Sequence, residues 1–305
     1  MNYAYTSARV RALENSLPSK ELIRSLAESR SLEECIQLLN SAGFDGITSD
    51  EIIGHMKEHH AQIISELIEN KKDIEVIFYP KTFHNLKAAV KTLYSKSIGA
   101  DVFYSDALID GAVIMDALKN KKTETLPQYI SKAAWETYLA IMRTGDGRLS
   151  DMTADKACLE AMKKFAEDTE HEILKSYVNE TIAAADIKTV FRAENASDFY
   201  DYLVSCKYFS AEVLAAAAES GRDELTAFLS SAGFEGINEK NADIIFENRI
   251  SQILAKEKYN ILSPAPAINF ILEHDRAVNT VRYILICREN GAEQKKILER
   301  VSIYV

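Results

Sequence analysis

The chain has 305 residues, with 36 basic against 46 acidic side chains and a formal charge of −10. Nothing in that balance supplies the clustered Lys/Arg with which a nucleic-acid binder displaces counterions, or a polybasic run facing anionic lipid. Glycine and proline number only 11 and 5, well below the roughly 12% of ordinary usage, which argues against a turn-rich β protein and for packed helices.

At 47% hydrophobic and 27% charged residues the composition is that of a globular protein, and the length allows one to three domains. The opening Met1–Arg9 lacks the apolar core of a signal peptide, and no run reaches the roughly 18 apolar residues of a membrane span. The cysteines, Cys35, Cys158, Cys206 and Cys287, are widely spaced without a Cys-x-x-Cys pair, so four reduced thiols and a cytoplasmic setting are expected.

In chain order, Leu17-Pro18-Ser19 reads as a helix start, and Ser31-Leu32-Glu33-Glu34 as a capping box in which Ser and Glu satisfy free amides reciprocally. Gly43 ends that helix by taking the left-handed conformation, with Phe44 packing back on the apolar face. From Ser49 a longer helix carries apolar residues at Ile53, Met56, Ile63, Ile64, Leu67 and Ile68, the spacing of one helical face. Tyr79-Pro80 breaks it, and another helix follows from about Thr82 to Ser97. Only Val76–Tyr79 and Ser302–Val305 look strand-like.

The nine residues Leu39–Ile47 recur, seven of them identical, as Leu229–Ile237, with Gly43 and Gly233 separated by 190 positions. A fainter polar element appears three times, as Asn85-Leu86-Lys87, Asp186-Ile187-Lys188 and Asn279-Thr280-Val281-Arg282. Its spacing makes 190 two periods and asks for a third turn near 140–145, where Thr144-Gly145-Asp146-Gly147 lies. The order is kept three times, so the chain reads as an all-α protein of three similar helical repeats, 1–110, 111–204 and 205–305. Polar residues inside helices ordinarily face solvent or bond across to a neighbouring helix. The alternative for this element is a shared surface.

Chemistry-bearing motifs are scarce. No glycine-rich loop is placed to cradle a phosphate, and Asp146-Gly147-Arg148 lacks the alternating carboxylates of a calcium loop. His55-Met56-Lys57-Glu58-His59 satisfies the inverted zinc-peptidase pattern, with two histidines one turn apart and a glutamate to activate water. The apolar stripe of that helix places His55, His59, Gln62 and Glu66 on the solvated side, and no third ligand is designated, so a polar face is expected and neither metal nor cofactor is assigned. Trp135 is expected in a core, and His60, His84, His171 and His274 at surfaces or between helices.

The opening Tyr3-Ala4-Tyr5 with Ala8–Glu14, the helices of Asn85-Leu86-Lys87 and Asp186-Ile187-Lys188 with Arg192, and the end Val281–Gly291 with Ile297-x-Glu299-Arg300 together resemble the C subunit of archaeal and bacterial V-type ATPases, subunit d of the eukaryotic enzymes. The resemblance covers nearly the whole chain. It implies a funnel of three lobes with approximate three-fold symmetry and no catalytic site. It also implies a central-stalk position, between the shaft and the membrane proteolipid rotor ring, passing torque between ATP turnover and proton or sodium flow. The partners would be shaft and ring subunits, with no nucleic acid and no direct membrane insertion. The location would be cytoplasmic, peripheral to the membrane through the complex. The middle repeat keeps only the glycines of the Ser-Ala-Gly-Phe turn. Candidate interface residues are Asn85, Lys87, Asp186, Lys188, Asn279 and Arg282. A helical-repeat scaffold unrelated to ATPases and, further off, a zinc peptidase using His55, Glu58 and His59 are the alternatives.

Overall fold

The computed structural model describes residues 3–67, 71–95, 102–193 and 198–301, and among them there is no β-strand. The chain forms two compact units, Met1–Asp73 with Leu254–Val305, and Ile74–Ile253.

The first unit is made from both ends of the described chain. Its helices are α1 (Tyr3–Leu13), α2 (Lys20–Glu28), α3 (Leu32–Ser41) and α4 (Ser49–Leu67), joined by α13 (Ala265–Glu289) and α14 (Gln294–Val301). Helix α13 packs on α1, α2, α3 and α4, and α14 packs on α2. The core between them holds Leu26, Cys35, Leu39, Ile52, Val281, Ile284 and Ile297, all fully buried. The two stretches are also tied through backbone, since Arg288 donates to the Ala27 carbonyl at 2.7 Å and Gln294 to that of Glu28 at 2.8 Å.

The helix boundaries follow local chemistry. Ser19 Oγ accepts the Leu22 N–H at 3.1 Å to start α2, and Ser31 Oγ accepts that of Glu34 at 3.2 Å to start α3. Glu34 reaches back to the Arg30 N–H at 2.6 Å, one residue earlier than a reciprocal box requires. Gly43 has φ +87°, and the Phe44 N–H closes the turn on the Leu39 carbonyl at 2.9 Å. On α4 the stripe Ile53, Met56, Ile63 and Ile64 is buried while His55, Glu58 and His59 are exposed, as the spacing predicts. Ile68 lies outside the described residues.

The second unit carries α5 (Tyr79–Ser95), α6 (Gly111–Lys119), α7 (Gln128–Thr144), α8 (Gly147–Asp168), α9 (Glu172–Arg192), α10 (Ala211–Glu219), α11 (Arg222–Ser231) and most of α12 (Ala242–Lys256). Helices α5, α7 and α8 pack on one another, α6 lies on α5, and α9 lies on α8. A further cluster, including Ile187, Phe209, Leu214, Leu229 and Phe234, joins α9 to α10–α12. Gly145 at φ +69° and Gly233 at φ +92° end α7 and α11. Asp146 then caps α8 by accepting the Arg148 N–H at 2.8 Å. The order helix, glycine, long helix, long helix therefore occurs at α3–α5, α7–α9 and α11–α13.

Two expectations fail. Val76–Tyr79 is no strand: Val76–Phe78 close a 3-10 segment, Lys71–Phe78, and Tyr79 opens α5. All four side chains are buried. A short apolar run enclosed on every side carries no period, so its sequence cannot distinguish helix from strand. Nor does Tyr79-Pro80 break the helix begun at Ser49: the pair opens α5, with Pro80 in the first turn, where its missing N–H costs nothing. The proposed strand at Ser302–Val305, and the end of the predicted helix at Lys96-Ser97, lie outside the described residues.

Candidate functional site

The repeated polar element sits on α5 and α9, and in both helices its first residue is a buried tie. Asn85 is fully buried, accepts the Tyr104 N–H at 2.7 Å and donates to the carbonyls of Tyr104 at 3.0 Å and Ile109 at 3.2 Å. Thr82 and Lys81 hold the same segment, through the Leu108 N–H at 3.1 Å and the Asp106 carboxylate. On α9, Asp186 is 1% exposed and accepts the Val204 N–H at 3.0 Å, and Asn179 accepts that of Lys207 at 2.7 Å. Each long helix thus spends polar side chains on the backbone of the segment leading to the next helix. An unpaired buried amide there would cost about 1–3 kcal/mol.

The element's lysines lie nearer the surface and pair with carboxylates. Lys87 meets Asp155 of α8 at 2.6 Å, and Lys188 meets Asp243 of α12 at 2.9 Å. Sequence reasoning missed both aspartates, yet a signal existed, since Asp155 and Asp243 each stand ten positions after a helix-ending glycine, Gly145 and Gly233. Asn279 and Arg282 are exposed on α13 in the first unit, so the third copy of the element is not a buried tie. The cause is the connection after α13: the helix passes through a short turn at Gly291 into α14, with no long segment to hold.

Within the second unit, α5, α8 and α9 line an open pocket of about 460 Å³. Phe83, Leu159 and Met162 give it an apolar floor, while Lys87, Asp186, Lys188 and Arg192 bring polar groups to its wall. Burial pushes the Asp186 carboxyl up to about 7, with the Val204 N–H opposing the shift. Burial likewise raises the Cys158 thiol, which also lines the pocket, away from the thiolate a nucleophile needs. The lysines are held by their carboxylates and His84 bonds the Val102 carbonyl at 3.1 Å.

A second polar centre lies where α9 and α12 meet. Glu180, 2% exposed, takes a two-pronged contact from Arg249, at 2.8 Å to Nε and 3.0 Å to Nη2, and a hydrogen bond from the Tyr208 hydroxyl. Arg249 also donates to the Gly233 carbonyl at 3.1 Å and lies 4.6 Å from the Phe234 ring centroid. This clamp fixes the glycine turn at 233 and had no local signature, because its members are 69 positions apart.

The remaining motif residues lie on other helices. His55 Nδ1 sits 2.8 Å from the Asp45 carbonyl on an exposed face. His60 and His274 stack between α4 and α13 with centroids 3.8 Å apart. Trp135 is half-buried against Tyr138 at 5.6 Å.

Compared with known proteins, residues 6–300 match the family described as ATP synthase (C/AC39) subunit. No curated protein matches the chain.

Proposed function

Because the chain belongs to the ATP synthase (C/AC39) subunit family, we propose that it is a non-catalytic central-stalk subunit of a rotary V-type ATPase or ATP synthase. In this reading it links the shaft to the proteolipid ring on the cytoplasmic face and passes torque between ATP turnover and proton or sodium transport. The observation that carries the reading is the family match over residues 6–300. The all-helical build supports it, since torque needs stiffness and close-packed helices deform little. Among the described residues no helix is long and apolar enough to cross a membrane, consistent with attachment through partner subunits.

The three repeats, 1–110, 111–204 and 205–305, form a pseudo-three-fold funnel in this proposal. Asn85 and Asp186 hold its connecting segments, and the more exposed Lys87, Lys188, Asn279 and Arg282 meet the partners. The test is purification of tagged protein from detergent-solubilised membranes, with mass spectrometry of the co-purifying chains and an ATP hydrolysis assay. Recovery of shaft and ring subunits with ATPase activity is expected, weakened by Lys188→Glu in a correctly folded variant. A monomer free of such partners overturns the coupling role.

A further inference from the structure

We propose that the turn Glu257–Pro264, between α12 and α13, is a lipid-contact tip that seats in the interfacial layer of an anionic bilayer. Tyr259, Ile261 and Leu262 are 75%, 50% and 75% exposed, a run of large apolar side chains facing solvent. The fold gains nothing from leaving them there, and exposed apolar clusters mark contact sites.

The turn is fixed, not slack. Asn260 N–H donates to the Glu257 carbonyl at 2.9 Å and Ser263 N–H to the Asn260 carbonyl at 3.1 Å. The Leu262 N–H reaches Asn260 Oδ1 at 3.1 Å, the Ser263 hydroxyl bonds Glu257, and Ser263 itself is buried. The apolar side chains are therefore held outward, and little ordering cost remains for contact.

Charge around the tip runs against that of the chain. Arg11 lies 5.3 Å from the Tyr259 ring centroid, Lys258 is 3.8 Å from Glu14, and Lys256 is exposed. Glu257 keeps its charge while accepting from the Ser263 hydroxyl, and Glu14 pairs with Lys258. The flanking groups, Arg11, Lys256 and Lys258 with Glu14 and Glu257, therefore balance to a small positive charge, although the whole chain carries −10. At a screening length of about 8 Å this local balance, and not the charge of the whole chain, governs what the tip meets.

A small protruding turn fits lipid better than a protein pocket. A specific protein interface buries about 800 Å² on each side and needs shape complementarity, whereas an interfacial layer accepts any apolar tip. A tyrosine ring with a polar end, two aliphatic side chains and basic neighbours match the composition of that layer. The contact is shallow and does not cross the bilayer. One acyl chain gives a partition constant of about 10⁴ M⁻¹, and this tip buries less apolar surface, so its binding is weaker and assists other attachments.

The test uses the full chain with Tyr259→Trp in a Trp135→Phe background, leaving one reporter at the tip. Titration with phosphatidylcholine vesicles containing one-quarter phosphatidylglycerol is expected to shift its emission to the blue at millimolar lipid. The partition constant should fall at least about tenfold with Ile261→Ser and Leu262→Ser together, and several-fold on pure phosphatidylcholine or with Lys256→Glu and Lys258→Glu. Circular dichroism checks that each variant is folded. No shift at any lipid concentration, or a shift undiminished by the serine pair, overturns the proposal. The result does not depend on the rotary-ATPase reading, which co-purification tests separately.

Discussion

The glycine turns at 39–47 and 229–237 share seven of nine residues and one way of stopping the helix, then part at the second glycine, where Gly236 takes φ +70° and Gly46 does not, and they differ in environment. Gly43 and Gly233 have φ +87° and +92°, and in both turns the phenylalanine N–H meets the leucine carbonyl at 2.9 Å. In the later copy Phe234 and Ile237 are 1% and 2% exposed, and Tyr208, Phe209, Phe246 and the Arg249 guanidinium surround Phe234. In the earlier copy Phe44 is half-buried and Ile47 is 81% exposed. There the turn closes on itself instead: the Asn40 amide exchanges two hydrogen bonds of 2.9 Å with Gly46. Local residues dictate the stop at the first glycine, while partners distant in sequence decide whether the motif becomes core.

Substitutions at matched positions can break or sharpen this contrast. The largest effect belongs to the clamp. Arg249→Ala leaves Glu180 buried without its cation, which should cost about 3–5 kcal/mol in urea unfolding. His59, which stands as far after Gly43 as Arg249 stands after Gly233, is exposed, and His59→Ala should stay within about 0.5 kcal/mol. Equal losses would remove the distinction between the copies.

Ile237→Ala should cost about 2–4 kcal/mol as a core truncation, and Ile47→Ala almost nothing in the isolated chain. If Ile47→Ala also destabilises strongly, the earlier turn is covered in solution.

The polar ties allow a finer test, because Asn85 and Asp186 each hold the segment after their helix with different protonation chemistry. With its carboxyl pushed up to about 7, folded Asp186 keeps a proton that the unfolded chain releases near its usual value of about 4. Stability from this group is therefore full below about pH 4, declines as pH rises towards 7, and levels off above that. Asp186→Asn keeps an acceptor for the Val204 N–H and removes the charge. It should match wild type near pH 4 and exceed it at pH 8 by on the order of 1–3 kcal/mol in thermal or urea unfolding. A pH-independent difference would show that Asp186 does not titrate in this range.

The smallest effect should be shared. Gly43→Ala and Gly233→Ala meet no neighbouring atom within 4 Å but force a side chain into positive φ, costing about 1–2 kcal/mol at both sites. Unequal costs would show that the copies differ already at the first glycine.

Much of the fold was legible because its signals are local. Ser19 and Ser31 mark helix starts, Gly43, Gly145 and Gly233 mark stops, and the stripe of α4 separates a buried face from the one bearing His55 and His59. Val76–Tyr79 misled because a wholly buried run has no periodicity. At the candidate site the polar element was visible, but not the burial of Asn85 and Asp186. Their partners, Tyr104 and Val204, lie 19 and 18 positions away in segments without a motif. The Glu180–Arg249 clamp is more distant still. Contacts of that range leave no trace in a single sequence except where a repeat reproduces their spacing, as Asp155 and Asp243 do.

The unit built from both ends of the described chain also sets a timetable for biogenesis. Helices α2, α3 and α4 leave the ribosome early, yet the helices that complete their core, α13 and α14, begin at Ala265 and Gln294. At roughly 5–20 residues per second, the apolar faces of the first helices wait about ten to fifty seconds for their cover. The Ile74–Ile253 unit is contiguous and can close on itself during that interval. A nascent chain stalled before α13 would therefore present one finished unit and one unfinished, and holding chaperones should engage it at residues 20–67.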